Sequence, residues 1–110
     1  MWIFLSNSFI SVVAVRDVPG ELLVRGRVKG DIERVFKDAR VKTTPAADYR
    51  FRAWIPAPEV AKVIAEKISS IGYDNFKSSV AEQDRHDAYL RVWTTMNILQ
   101  STRTQPKRRK

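Results

Sequence analysis

The sequence predicts a small α+β protein in which an antiparallel or mixed sheet of four or five strands carries two to three helices on one face. Two observations predict this class. Short segments of alternating apolar and polar residues fill the first half of the chain, and apolar stripes at helical spacing follow in the second half. A ferredoxin-like arrangement is the nearest named type.

The N-terminal segment, MWIFLSNSFISVVAV, predicts the first strands. Residues 2–5 and 9–15 are rich in Phe, Ile and Val and indicate two strands, or one bent strand, around a polar break. Ser and Asn interrupt the segment too often for a membrane helix. It also has neither the positive start nor the cleavage site of a signal peptide. We therefore expect it to lie in the core of a soluble protein.

Residues 22–28 and 49–55 each alternate between apolar and polar side chains, which is typical of half-buried strands. The polar sides of these two strands carry Arg25, Arg27, Arg50, Arg52 and Trp54. A short helix between them has Asp31 as a candidate N-cap. If the two strands are neighbours in the sheet, their arginines share one face.

Two helices are predicted after the last strand. Pro58 suits a first helical turn and Gly72 a left-handed C-terminal cap. The apolar stripe between them consists of Val60, Val63, Ile64, Ile68 and Ile71. A final helical region starts near Asn75 with Asp84 as a candidate cap, and its stripe consists of Tyr89, Val92, Trp93, Met96 and Leu99. Both stripes predict core positions, and the side chains expected to be nearly inaccessible are Phe51, Ile55, Val63, Ile64, Ile68 and Trp93.

The net charge of +8 is concentrated at the C-terminus. Of the 20 Lys and Arg residues, five lie in residues 103–110, which contain none of the 12 Asp and Glu residues. Such a stretch is too polar to pack. We therefore predict a single α+β domain over residues 1–100 and a basic flexible tail over residues 101–110.

Several segments resemble a family of short, uncharacterised bacterial proteins found in genomes and mobile elements. The matching pieces are WIFLSNSFISVV, LLVRGRVKGDIERVF, DYRFRA, YDNFK and RHDAYLRVW, which cover most of residues 2–93. The family has no assigned activity, so the resemblance implies no functional residue. It implies that most of the chain is a recurring domain and that the tail is an addition.

Few side chains could support catalysis, and we expect the protein not to be an enzyme. The chain has no Cys, one His, and scattered glycines that form no phosphate-binding loop. His86 precedes Asp87, but phosphohydrolase metal centres need several histidines, and a lone His near a helix start is most often a surface or capping residue. Asp84 and Asp87 could share a magnesium ion, yet acidic pairs are common in first helical turns. We expect no metal and no cofactor, and the absence of Cys suggests a cytoplasmic protein.

Two basic features could bind a polyanion. The tail contributes Arg103, Lys107, Arg108, Arg109 and Lys110, and the strand face contributes Arg25, Arg27, Arg50, Arg52 and Trp54. Arginines interleaved with an aromatic residue on a sheet can hold single-stranded nucleic acid. The ordinary alternatives are a solvated tail that aids solubility and, on the sheet face, arginines paired with Asp or Glu. The sequence therefore predicts a non-catalytic module that binds nucleic acid or another polyanion. The alternative is an accessory or inhibitor, encoded by a phage or mobile element, that binds an acidic protein partner; neither interpretation involves a membrane.

Overall fold

The computed structural model describes residues 1–104. The chain divides into two compact units, Met1–Asp74 and Asn75–Lys110. The single domain expected over residues 1–100 stays a prediction. Residues 101–104, which were expected in the flexible tail, are the last residues of a helix, and the rest of the predicted tail lies outside the described residues.

Five strands form one antiparallel sheet in the first unit, which confirms the α+β class. They are β1 (Trp2–Leu5), β2 (Ser8–Ala14), β3 (Glu21–Gly26), β4 (Lys42–Thr43) and β5 (Phe51–Pro56), in the order β1-β2-β3-β5-β4. Every neighbouring pair is antiparallel. Ferredoxin-like folds alternate as β-α-β-β-α-β, and the order here, with three strands before the first helix, departs from that arrangement.

Two helices of this unit, α1 (Asp31–Val35) and α2 (Ala57–Ser69), cover one face of the sheet. The buried core consists of Ile10, Val24, Ile32, Val35, Phe36, Ala53, Ile55 and Val60. Cross-strand register explains this selection, because Val12, Val24 and Ala53 lie side by side on three strands and point to the same face. The residues that alternate with them therefore point to the opposite face.

A buried carboxylate joins α1 to the first hairpin. Gly30, with a φ of +92°, is the N-cap of α1, so Asp31 is the first helical residue and not the cap expected from the sequence. The Asp31 carboxylate accepts a hydrogen bond from the Phe9 backbone N–H at 2.9 Å and pairs with Arg34. The Nε of Arg34 donates to the Asn7 carbonyl at 3.0 Å. Asp31 has no accessible surface, so its carboxylate is buried among hydrogen-bond donors beside the turn between β1 and β2.

The apolar positions predicted for the core are buried to different degrees. Ile55 is buried, Phe51, Val63 and Ile64 are half-buried, and Ile68 and Trp93 are exposed. The expectation for Ile68 is wrong because the part of α2 that packs on the core ends with Ile64. The helix ends at Ser69 with Ser70 as its C-cap, so Gly72 is not the cap. Periodicity identifies the buried side of a helix but not how far along it the core extends.

The second unit contains a 3₁₀ turn (Lys77–Ser79) and a long helix, α3 (Gln83–Thr104). Tyr89 of α3 is buried, and its ring stacks on Phe76 with the centroids 5.7 Å apart. The rest of the predicted stripe, from residue 92 to residue 99, is exposed, so the expectation that it lies in a core is wrong for those residues. No helix within residues 1–104 combines the length and the apolar character needed to cross a membrane.

Candidate nucleic-acid interface

A row of basic residues crosses the sheet on the face opposite α1 and α2. In the pairing register, Arg25 of β3 lies beside Arg52 of β5, and Arg52 lies beside Lys42 of β4. On its other side, Arg25 lies beside Ser11 of β2. The strand adjacency that the sequence could only assume is therefore observed. The basic face, as we use the term, comprises Arg25, Arg27, Lys42, Arg50 and Arg52.

Two of the predicted arginines lie just outside the strands. Gly26, the last residue of β3, is paired with Phe51, the first residue of β5. Arg27 and Arg50 therefore extend from adjacent ends of the same antiparallel pair, and both are exposed. The sequence placed them inside longer strands, but the grouping of the four arginines at one end of the β3–β5 pair is observed.

Arg25 is half-buried and held from two directions. Its Nη2 donates to the hydroxyl of the buried Ser11 at 2.9 Å. Its guanidinium carbon lies 4.3 Å from the centroid of the Tyr49 ring, at a distance typical of a cation–π contact. The Nε of Arg25 is buried and has no hydrogen-bond partner within residues 1–104. The Arg25 side chain is therefore fixed in place by contacts that use few of its five donors.

Asp48 and Tyr49 hold two further arginines. The Arg27 guanidinium carbon lies 4.0 Å from the same Tyr49 ring centroid, and its Nη1 donates to the Asp48 carbonyl at 2.8 Å. The Nε of Arg52 donates to the Tyr49 carbonyl at 3.3 Å, and its Nη2 lies 3.6 Å from the Asp48 carboxylate. One ring thus carries two cations, and two consecutive residues position three arginine side chains.

The sequence did not reveal this role of Tyr49. Alternation placed Tyr49 on the apolar side of a strand over residues 49–55, but β5 begins at Phe51, so Tyr49 lies outside the regular pattern. Its ring is buried beneath Arg25 and Arg27 rather than against the helices. The sequence signal was a tyrosine next to an alternating arginine pair, which is too common a pattern to identify such a contact.

Exposed indole rings accompany the basic face. Trp54 follows Arg52 by two residues on β5, points to the same face and is 43% exposed. Trp2 of β1 lies beside Ser11 and is 67% exposed. Its ring meets that of Phe9 edge-on, with the centroids 6.4 Å apart. Aromatic surface is therefore available near the row of basic side chains, and the nucleobases of a single strand can stack on such rings.

The basic face is weakly neutralised. Within residues 1–104, only one residue of the basic face forms an ion pair: Arg52 pairs with Asp48. The Asp48 side chain is 70% exposed, so the pair is screened and contributes little. Arg52 thus has an acidic partner, as the ordinary alternative expects, whereas Arg25, Arg27 and Arg50 have none within residues 1–104.

The remaining predicted binding residues lie at the C-terminus. Arg103 is exposed in the last turn of α3. The other four, which lie outside the described residues, are Lys107, Arg108, Arg109 and Lys110.

The groups considered for metal binding lie at the start of α3. The His86 Nδ1 is 3.8 Å from the Asp87 carboxylate, beyond hydrogen-bonding distance. Asp84 lies in the first turn of the helix, one residue after its start, and is therefore not the cap that the sequence suggested. In the part of the chain that the structure describes, no group of three His, Asp or Glu side chains could hold a metal ion.

Fold and site together define a small α+β protein whose antiparallel sheet has helices on one face and a basic, partly aromatic surface on the other. Comparisons with models of protein families, with curated proteins and with solved structures found no match to this chain. The resemblance to short bacterial proteins therefore stays a prediction.

Proposed function

We propose that this protein is a non-catalytic, cytoplasmic module that binds single-stranded nucleic acid through the basic face. The observation that carries the proposal is the row formed by Arg25, Arg52 and Lys42 across three neighbouring strands. Neighbouring strands lie about 5 Å apart, so cationic groups in such a row can contact successive phosphates of one extended strand. The exposed Trp54 beside this row offers a surface on which a base can stack.

The arginines need little ordering before they bind. Arg25, Arg27 and Arg52 are already held by hydrogen bonds and by the Tyr49 ring. Side chains that are fixed before binding lose less conformational entropy when a ligand arrives. Contacts to phosphates and stacking on rings carry little sequence information. We therefore expect salt-sensitive binding with weak sequence preference, to which the basic residues of the C-terminus add affinity.

An acidic protein surface is the second candidate ligand. The same pre-positioned guanidinium groups fit carboxylates as well as phosphates, which supports an accessory or inhibitor function. The two ligands differ in their response to salt, because phosphate contacts release condensed counterions and a packed protein interface does not. The affinities for the two ligands should also depend differently on the basic tail, because a tail contacts a long polyanion more readily than a compact protein.

The test is a fluorescence-anisotropy titration of the full chain with a labelled single strand of about 20 nucleotides, longer than the roughly 4–16 nucleotides that one small domain covers. The titration is repeated between about 50 and 200 mM salt. We expect Arg50→Glu with Arg52→Glu to weaken binding at least about tenfold, which is about 1.4 kcal/mol, and to make the salt dependence shallower. Trp54→Ala should weaken binding with the salt dependence unchanged.

The matched control reverses the same amount of charge elsewhere. Lys62 and Lys67 are exposed on α2, on the face of the sheet opposite the basic face, so Lys62→Glu with Lys67→Glu changes the net charge equally. This control should reduce binding much less than the arginine pair does. Equal losses in the two double variants would mean that net charge alone drives binding, and no salt-sensitive binding by the wild type would reject the proposal in favour of a protein partner.

A further inference from the structure

Two guanidinium groups share one aromatic ring on the basic face. The guanidinium carbons of Arg25 and Arg27 lie 4.3 Å and 4.0 Å from the centroid of the Tyr49 ring. The distance between the two cations therefore cannot exceed the sum of these values, about 8 Å. Neither arginine forms an ion pair with an acid within residues 1–104. Like charges held this close repel each other, and an anion bound to both would remove the repulsion.

The hydroxyl of Tyr49 is a third group at the same place that needs a partner. Tyr49 is 4% exposed, and a buried tyrosine hydroxyl normally forms a hydrogen bond. Within residues 1–104, the hydrogen bonds of Tyr49 use only its backbone: the N–H donates to the Asp48 carboxylate at 2.8 Å, and the carbonyl accepts from Arg52 at 3.3 Å. The hydroxyl is attached to the ring that two cations contact, so a negatively charged acceptor suits it best.

Each of the two arginines keeps donors for a ligand. Arg25 donates to the Ser11 hydroxyl through Nη2, and Arg27 donates to the Asp48 carbonyl through Nη1. The other terminal nitrogen of each guanidinium has no acceptor in the part of the chain that the structure describes. Arg27 is exposed and Arg25 is half-buried, so a ligand can reach both from solvent.

We infer that Arg25, Arg27 and the Tyr49 hydroxyl form a subsite for the terminal phosphate of a single strand of nucleic acid. A terminal phosphate is a monoester, with about 1.5–2 negative charges at pH 7 and three acceptor oxygens that are free. An internal phosphate is a diester, which has less charge and fewer free oxygens. Two cations and a hydroxyl therefore match the terminal group better. The inference rests on the proposed function, because it assigns one position of the same basic face.

The place of the subsite in the sheet also fits the end of a strand of nucleic acid. In the pairing register, the row of basic residues runs from Lys42 through Arg52 to Arg25. The next positions, on β2 and β1, are Ser11 and Trp2, which carry no charge. The positive charge of the row therefore ends at Arg25, and a ligand that follows the row has its terminus there.

The experiment measures the dissociation constants of the full chain for single strands of about 20 nucleotides that carry an internal fluorophore. One strand has a 5′-phosphate, one has a 3′-phosphate, and one has hydroxyls at both ends. A further strand has hydroxyl ends and about two more nucleotides, so that its total charge matches that of the phosphorylated strands. We expect at least one phosphorylated strand to bind about tenfold more tightly than the charge-matched strand. The end that gives this preference is the terminus that is bound.

Three variants test which side chains cause the preference. Tyr49→Phe removes the hydroxyl and keeps the ring beneath both arginines, and Arg27→Gln removes one exposed cation. Each should lower the preference at least about threefold, because each removes a donor to the phosphate. Arg50→Gln is the matched control, since it removes an equal charge from an exposed position next to β5. It should weaken binding of all the strands by the same factor and leave the preference unchanged.

The results that would overturn the inference differ from those that would reject the proposed function. Equal affinities for the phosphorylated and the charge-matched strands would overturn the inference while the proposed function stands. A preference that stays the same in Tyr49→Phe and Arg27→Gln, or that Arg50→Gln lowers equally, would overturn it too. Absence of binding to every strand would reject the proposed function, and the subsite with it.

Discussion

The carboxylate of Asp31 offers the most direct test of how this fold is held together. It is fully buried, it accepts a hydrogen bond from the Phe9 N–H, and it pairs with Arg34. Asp31→Ala removes both interactions and leaves the Phe9 N–H without its acceptor. The loss should separate the first hairpin from α1, because these contacts join the two elements.

The expected cost follows from the individual contacts. Loss of the acceptor for a half-buried backbone donor costs about 1–3 kcal/mol. The Arg34 side chain is 39% exposed, so its ion pair adds no more than about 1 kcal/mol. We expect Asp31→Ala to lower the free energy of unfolding by about 1–4 kcal/mol. Asp31→Asn should cost less, since an amide oxygen can still accept from Phe9.

The measurement is a urea titration followed by tryptophan fluorescence in a Trp93→Phe background. The two remaining tryptophans, Trp2 and Trp54, then report on the unit that contains the sheet. With a slope of about 2 kcal/mol/M, the midpoint for Asp31→Ala should fall by roughly 0.5–2 M urea. Glu33→Ala is the matched control, because Glu33 is an exposed acid in the same helical turn. If Asp31→Ala moves the midpoint no further than Glu33→Ala does, the buried carboxylate does not join these elements.

The same titration checks two further expectations. Ile10→Ala should lower the free energy of unfolding by about 2–5 kcal/mol because Ile10 is fully buried. Ile68→Ala should change it by no more than about 0.5 kcal/mol because Ile68 is exposed. Similar losses in the two variants would contradict the assigned position of α2. Gly30→Ala should destabilise the protein by at least about 1 kcal/mol, because the φ of Gly30 is +92°, a backbone conformation that residues with a Cβ rarely adopt. Gly72→Ala is the control and should be nearly neutral, because Gly72 has no positive φ and a Cβ there would meet nothing within 4 Å. An equal loss of stability in the two variants would show that the positive φ of Gly30 is not the cause.

The basic face could be predicted in part, because each half of it is encoded locally. Alternation along a strand is visible in the sequence, and it correctly placed Arg25 and Arg52 away from the apolar residues. Whether those two strands are neighbours depends on pairing between distant residues, which the sequence left as an assumption. Lys42 was not assigned to this face for the same reason, since its position beside Arg52 depends on the pairing of β4 with β5.

The burial of Asp31 and the exposure of the apolar residues on α3 could not be predicted from the sequence for a related reason. Asp31 stands where an N-cap is common, but its actual partner, Phe9, lies 22 positions away along the chain. The apolar residues of α3 from position 92 to position 99 have the spacing of a core-facing helix, yet spacing alone cannot tell whether the same chain covers them. The first error concerns where α1 begins and which donor the carboxylate meets, and the second concerns whether the same chain covers this side of α3.

The brevity of β4 has a consequence for growth of the sheet. Edge strands can recruit further strands and so begin intermolecular β-sheets and fibrils. Here the edge offers two exposed residues, Lys42 and Thr43; the Thr44 N–H is already donated to the Arg50 carbonyl at 2.7 Å, and Pro45 has no N–H to offer. The charge of Lys42 further disfavours the approach of an identical edge. Concentrated solutions of the protein should therefore not form fibrils from this side, and we expect the edge at Lys42 to offer side chains, rather than free backbone groups, to a ligand.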